Sequence, residues 1–280
     1  MGDFLKRMAI DSVRRVGNAR RLRSEGELHQ MLQSVATPAR LSLSREGFDL
    51  IAEFKRSAPS SRSLTGSSQR NSPIEYASSC QRAGVAAISV VTEPNEFDGS
   101  LEQLTEIATA TNVPVMRKDF LVDPYQLLEA RVAGASGVLL ILKLLDRHQL
   151  EDMFAAAAEF DLFVLLEAFD KQDLDRIEAA IFEAARLGVV VLAGVNCRNL
   201  RSLRISPARF ERLAQHLPRD ALLVAESGLA TLADVRSVAA LGYSLALVGS
   251  ALMQTPAPGQ LVTNMIHAGR LETRKLCAYA

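Results

Sequence analysis

The sequence has no tryptophan, and aromatic residues make up only 5% of its 280 positions. That disfavours a large aromatic binding platform. Net charge is lacking too, because 32 Lys and Arg balance 32 Asp and Glu. No global field draws the chain to a polyanion, so no nucleic-acid partner is expected. Any preference for an anion has to come from a local site. Cysteine is scarce: Cys80, Cys197 and Cys277 are odd in number, far apart and outside any C-x-x-C pair. This points to reduced thiols in a cytoplasmic protein. No apolar run approaches membrane-spanning length, and the N-terminus has no apolar leader core, so no membrane partner is expected. The four histidines, His29, His148, His216 and His267, show no ligand spacing. A zinc site or histidine triad is therefore not expected, and no metal is assigned. A glycine-rich dinucleotide turn and a Walker A loop are both missing.

What the chain does have is a series of short runs rich in Val, Ile and Leu. They are Asp49–Phe54, Ala87–Thr92, Val113–Met116, Gly137–Leu142, Leu162–Leu166, Val189–Val195, Ala221–Ala225 and Ser244–Val248. Several are apolar at consecutive positions, as in strands buried on both faces of a parallel sheet. Helical signals lie between them. Asp123-Pro124 opens one helix, which Gly134 closes. Thr231 with Asp234 opens another, and Gly84, Gly188 and Gly242 end three more. Alternation of eight such units predicts an α/β fold, a (β/α)8 TIM barrel. A doubly wound open sheet is the structural alternative, but the turn after the first strand lacks its glycines.

Residues 48–270 form the expected barrel, residues 1–47 a helical extension packing on it, and 271–280 a tail. In the extension, Phe4, Met8, Ile10, Val13 and Val16 suggest the inner stripe of an amphipathic helix. Arg14, Arg15, Arg20, Arg21 and Arg23 read as a solvated basic face. Ser57–Ser72 reads as a long mobile loop after the first strand.

Polar residues terminate the apolar strands. Glu53 and Lys55 end the first, Lys118 the third, Glu167 the fifth, Asn196 and Arg198 the sixth, Glu226 and Ser227 the seventh, and Gly249-Ser250 the eighth. C-terminal strand ends are where barrel enzymes place their chemistry. Lysines and glutamates converging on one rim suggest acid–base work, with a lysine pKa lowered by desolvation and neighbouring cations. A Schiff-base role for Lys118 or Lys55 stays open. Glu226-Ser227-Gly228 and Gly249-Ser250 sit where this fold usually binds phosphate. Cys80 reads as a small apolar helix residue, and Cys197 points away from Asn196 and Arg198.

At these residues the sequence resembles the indole-3-glycerol phosphate synthase family. The matching segments include Ile51-Ala52-Glu53-Phe54-Lys55-Arg56, Pro114-Val115-Met116-Arg117-Lys118-Asp119-Phe120 with Asp123-Pro124-Tyr125-Gln126, Gly194-Val195-Asn196-Cys197-Arg198, Ala225-Glu226-Ser227-Gly228 and Val248-Gly249-Ser250. The resemblance implies closure of an indole ring on 1-(2-carboxyphenylamino)-1-deoxyribulose 5-phosphate, with loss of carbon dioxide and water and no cofactor. It implies catalytic roles for Lys118, Glu167, Lys55, Glu53 and Asn196. It implies substrate contacts for Arg198, Glu226, Ser89, Phe97, Phe120, Leu139 and Ser60, and a phosphate cradle of Ser227, Gly228, Gly249 and Ser250. The chain is expected to act as a monomer or weak homodimer.

Some positions depart from that pattern. Ala58 stands where the family has a ligand-binding serine, Asp98 where Asn is common, and Ala168-Phe169-Asp170 is an unusual continuation of Glu167. These departures motivate a second reading, a paralogue acting on a modified anthranilate in specialised metabolism. A third is a non-catalytic barrel subunit, which the retained acid–base set opposes. An isomerase of a related phosphorylated aminosugar would need an Asp–Cys or paired-Asp set that is not seen.

Overall fold

The computed structural model describes residues 3–57, 72–199, 202, 204–218 and 221–279. Ala58 and Ser60 lie outside these, as does nearly all of the expected loop after the first strand. The strands are β1 (Asp49–Phe54), β2 (Ala87–Val91), β3 (Val115–Lys118), β4 (Gly137–Ile141), β5 (Phe163–Ala168), β6 (Val191–Asn196), β7 (Leu222–Glu226) and β8 (Leu245–Val248). They pair in parallel and in order, and β8 returns to β1 to close the barrel. The helices are α1 (Asp3–Leu22), α2 (Glu25–Leu32), α3 (Pro73–Arg82), α4 (Pro94–Phe97), α5 (Leu101–Ala110), α6 (Pro124–Val132), α7 (Arg147–Glu159), α8 (Lys171–Arg186), α9 (Ala208–Ala214), α10 (Leu232–Ala240), α11 (Ser250–Gln254) and α12 (Pro258–Tyr279). Residues 271–279 continue α12. No helix among the described residues is long and apolar enough to cross a membrane.

The strands sit where the apolar runs predict, but four of them extend further to take in a polar residue. Strand β3 begins after Pro114, which has no N–H to give the ladder, and extends to Lys118. Likewise Glu167, Asn196 and Glu226 lie inside β5, β6 and β7. These polar groups are therefore held by sheet hydrogen bonds rather than by loops.

Alternation along the strands divides the core in two. Outward residues such as Leu50, Ile88, Leu140 and Val195 pack under the helices. Inward residues such as Ile51, Met116, Leu139, Leu165, Leu192, Val224 and Leu247 fill the barrel. The helix signals also hold. Asp123 caps α6, accepting from the Tyr125 N–H at 2.9 Å, and Thr231 forms a capping box with Asp234.

The phase of α1 differs from the sequence expectation. Leu5, Met8, Ser12 and Val16 are buried, whereas Ile10 and Val13 are each more than 60% exposed. A stripe spaced three to four residues apart takes in the first set and leaves the second on the outer side. Nor is the basic face wholly solvated. Arg15 grips Asp119 through paired bonds of 2.7 and 2.8 Å. Arg20 reaches Asp123 at 2.9 Å. Gln126 donates to the buried Ser12 hydroxyl at 3.0 Å. These bonds lock α1 to the segment that follows β3, so the extension forms part of the barrel mouth.

Candidate active site

The polar strand ends converge as the sequence predicts. Lys55 Nζ lies 2.6 Å from Glu53 Oε1, and Lys118 Nζ lies 3.8 Å from Glu53 Oε2. Asn196 Nδ2 donates to Glu167 Oε1 at 2.6 Å, while Asn196 Oδ1 accepts from the Arg198 N–H at 2.9 Å. Backbone pins hold these groups in place. The buried Tyr76 hydroxyl donates to the Glu53 carbonyl at 3.0 Å. Arg209 donates to the carbonyls of Asn196 and Arg198 at 3.0 and 2.9 Å.

Glycines make room for two of the carboxylates. A Cβ at Gly194 would collide with the Glu226 carboxylate, and a Cβ at Gly249 with that of Glu53. Gly194→Ala is therefore expected to shift Glu226, disturb the charges beside it on Glu167 and Lys118, and lower kcat by up to about 10²-fold, since a small misplacement away from the reacting atoms can cost that much. The fold should persist by circular dichroism. Steady-state kinetics within threefold of the parent would contradict this account of the site.

Burial sets the protonation states, and neighbouring charge corrects them. Desolvation alone would raise the Glu53 carboxyl, but the ammonium groups of Lys55 and Lys118 hold it below the usual range. Desolvation would lower Lys118, yet the carboxylates of Glu167, Glu53 and Glu226 more than offset it, and its pKa is raised. The lowered lysine expected from sequence is thus corrected: the carboxylates around Lys118, Glu167 and Glu53 foremost, keep it charged. Burial raises Glu167, with Lys118 and the Asn196 hydrogen bond opposing it. Burial, then the charge of Glu167, pushes Glu226 well above the carboxylate range. Both Glu226 oxygens are buried, and neither meets a donor among the described residues. Burial thus biases both carboxyls toward the protonated form.

The cavity over these groups has two lobes that share Glu53, Lys55, Lys118, Arg198 and Ser227. One lobe has an apolar wall of Phe4, Val91, Phe97, Phe120, Leu139, Ile141 and Phe169 facing the polar rim. Phe4 and Phe120 meet edge to face at 5.9 Å between ring centroids. Glu93 carries Phe97 into this wall by accepting from the Asn95, Glu96 and Phe97 N–H groups at the start of α4. Asp98 follows at φ 53, a left-handed conformation that Asp tolerates as Asn does. The other lobe is lined by Glu226, Gly228, Gly249 and Ser250. Ser227 and Gly228 both take positive φ, 69 and 73. A serine held there is strained, as often happens at ligand clamps.

Ser89 faces the barrel interior beside Glu53 in register, fully buried, its hydroxyl without a partner among the described residues, and lines neither lobe. Cys80 is buried in α3, and burial pushes its thiol up to about 12. Cys197 turns away from the mouth, with its Sγ 3.1 Å from the Ser227 carbonyl, and burial pushes it up to about 11. Neither thiol is a nucleophile at neutral pH. Phe4 and Phe169 are wall residues that sequence reading missed. The first lies far from the barrel in sequence. The second continues the inward alternation past Glu167, which was a readable signal.

Known proteins share the fold and the chain. A 3-hexulose-6-phosphate synthase structure from Salmonella typhimurium matches with a TM-score of 0.60 at 16% identity, covering 81% of this chain and 100% of that one. At that identity the match shows the barrel fold alone. The indole-3-glycerol phosphate synthase of Rhodopirellula baltica is 41% identical over 207 residues, covering 74% of this chain and 76% of the relative. That of Mycolicibacterium smegmatis is 36% identical over 228 residues, covering 81% and 80%. The family profile for indole-3-glycerol phosphate synthase matches residues 5–265, which takes in nearly all of α1 as well as every strand, and the chain belongs to this family.

Proposed function

We propose that this chain closes the indole ring of 1-(2-carboxyphenylamino)-1-deoxyribulose 5-phosphate to give indole-3-glycerol phosphate, carbon dioxide and water. The observation that carries this reading is the two-lobed cavity with Lys118 at its junction. An aryl ring belongs in the phenylalanine-walled lobe and a phosphate in the serine–glycine lobe. A substrate stretched between them places its ketone at the lysine. Folding the substrate so that its ring carbon approaches the ketone supplies much of the rate.

The protons can be followed. The ring carbon bearing the carboxylate attacks the ketone carbon, and Lys118 protonates the developing alkoxide. Loss of carbon dioxide returns the electron pair to the ring and restores its aromaticity. Lys55, paired with Glu53, then protonates the departing hydroxyl. Glu167, oriented by Asn196, removes the proton whose loss completes the indole. Arg198 faces the anthranilate carboxylate across the junction. Ser227, Gly228, Gly249 and Ser250 cradle the phosphate. Every transfer uses a side chain of the cavity, so the reaction as written calls for no cofactor. The odd number and scattered positions of the cysteines support a cytoplasmic setting.

Purified protein incubated with this substrate should develop indole fluorescence, with turnover unaffected by chelator. Absence of product across pH 6–9 at millimolar substrate would overturn the proposal.

A further inference from the structure

The unusual segment Ala168-Phe169-Asp170 acquires a place in the structure: Phe169 forms part of the wall of the apolar lobe. It is 5% exposed and belongs to the barrel-interior cluster with Phe120, Leu139 and Ile141. Phe97 and Phe120 enter the lobe from the segments after β2 and β3, and Phe4 enters from α1. Phe169 closes it from the β5 side, two residues beyond Glu167.

The segment that carries the ring is pinned from several directions. The Phe169 N–H donates to Asp173 Oδ2 at 2.8 Å. Asp170 caps α8 by accepting from the Asp173 N–H at 3.1 Å. Lys143, in the turn after β4, bridges the two carboxylates, 2.6 Å from Asp170 and 3.1 Å from Asp173. Arg176 anchors that turn, donating to the Leu142 and Leu145 carbonyls at 2.9 Å each. This bracing fixes the backbone that carries the buried ring, so a larger ligand cannot gain room by displacing the segment.

We propose that Phe169 determines specificity, closing the aryl site against substituents on the carboxyphenyl ring so that the unsubstituted ring is preferred. The inference rests on the substrate class proposed above. An apolar pocket shaped around its ligand discriminates by about 10–200-fold per added or missing methylene-sized group. Phe169 lines the lobe and has no acid–base role, so its truncation enlarges the lobe while leaving the acid–base set in place.

The test compares wild type, Phe169→Leu and Phe169→Ala. Substrates are the unsubstituted compound and counterparts carrying a methyl group or chlorine at each free ring position. The readout is the ratio of kcat/KM between substituted and unsubstituted substrates. Calorimetric Kd ratios for the matching analogues, with the ketone reduced to an alcohol, provide a measure that does not need turnover. Wild type is expected to disfavour at least one substituted ring by about tenfold or more. Phe169→Ala should shrink that preference about tenfold, with Phe169→Leu intermediate and the Kd ratios moving in parallel. Phe169→Leu carries the test if the alanine variant does not fold. Wild type accepting every substituted ring equally, or ratios unmoved by either variant, overturns the inference and leaves the substrate reading standing. Failure of wild type both to turn over and to bind the unsubstituted compounds overturns the substrate reading, and the inference with it.

Discussion

Lys118→Ala is expected to lower kcat on the order of 10³-fold, within the range that a positioned general acid supplies. Affinity for the ketone-reduced analogue should change only a few fold. Lys118 sits at the junction of the two lobes, 3.8 Å from the Glu53 carboxylate, and Glu167 and Glu53 foremost hold it protonated. Its charge is therefore available before the reaction begins, and no reorganisation is needed when the alkoxide forms. The aryl and phosphate contacts lie in the lobes and survive the substitution, so binding persists while the chemistry fails. Single-turnover fluorescence with calorimetry separates the two effects. Turnover within tenfold of wild type would remove Lys118 from its role. Glu167 and Glu226 lose their main opposing charge. Glu167, already raised by burial, should then retain its proton to higher pH, visible as an alkaline displacement of residual activity.

The barrel and its acid–base rim were legible in the sequence because both depend on short-range order. Consecutive apolar residues fix the strands, and a two-residue alternation decides which side chains face inward. Glu53 and Lys55 could be placed together from their spacing alone, and the structure puts them 2.6 Å apart. Long-range contacts were not legible. Phe4 reaches the aryl lobe only because α1 folds back over the mouth. The inner stripe of α1 was misphased because Ile10 and Val13 are as apolar as Met8, and composition cannot tell which side faces the barrel. Arg15 looked like any solvated arginine until Asp119, 104 residues away, came within 2.7 Å. The direction of the Lys118 shift was likewise hidden. Sequence reveals how many charges reach the rim, whereas their separations decide which sign prevails.

Asp119→Ala is expected to destabilise the protein by about 3–5 kcal/mol at pH 7, the usual cost of removing one partner from a buried ionic network. Asp119 is 3% exposed, and it accepts from Arg15 at 2.7 and 2.8 Å, from Thr92 at 2.8 Å and from the Phe120 N–H at 2.8 Å. Its loss leaves the buried Arg117 without its Asp119 partner and frees α1 from the mouth. Burial alone would raise this carboxyl, but the Arg15 hydrogen bonds and the nearby Arg117 hold it at about 2, against an ordinary 3.8. A carboxyl depressed in the folded state adds stability that is complete above its unfolded pKa and is lost as pH falls through its folded one. For this group the window runs from about pH 4 down to about pH 2, and the linkage amounts to about 2 kcal/mol. Chemical denaturation of wild type and Asp119→Asn should therefore show a stability gap that is flat from pH 7 to 5 and narrows steadily below pH 4. Hydrogen exchange should report faster opening of α1 in the variant at neutral pH, with the strands still protected. A gap of constant size down to pH 2.5 would mean that the charge on Asp119 does not hold α1. The grip on the helix would then have to come from the apolar stripe of Leu5, Met8 and Val16.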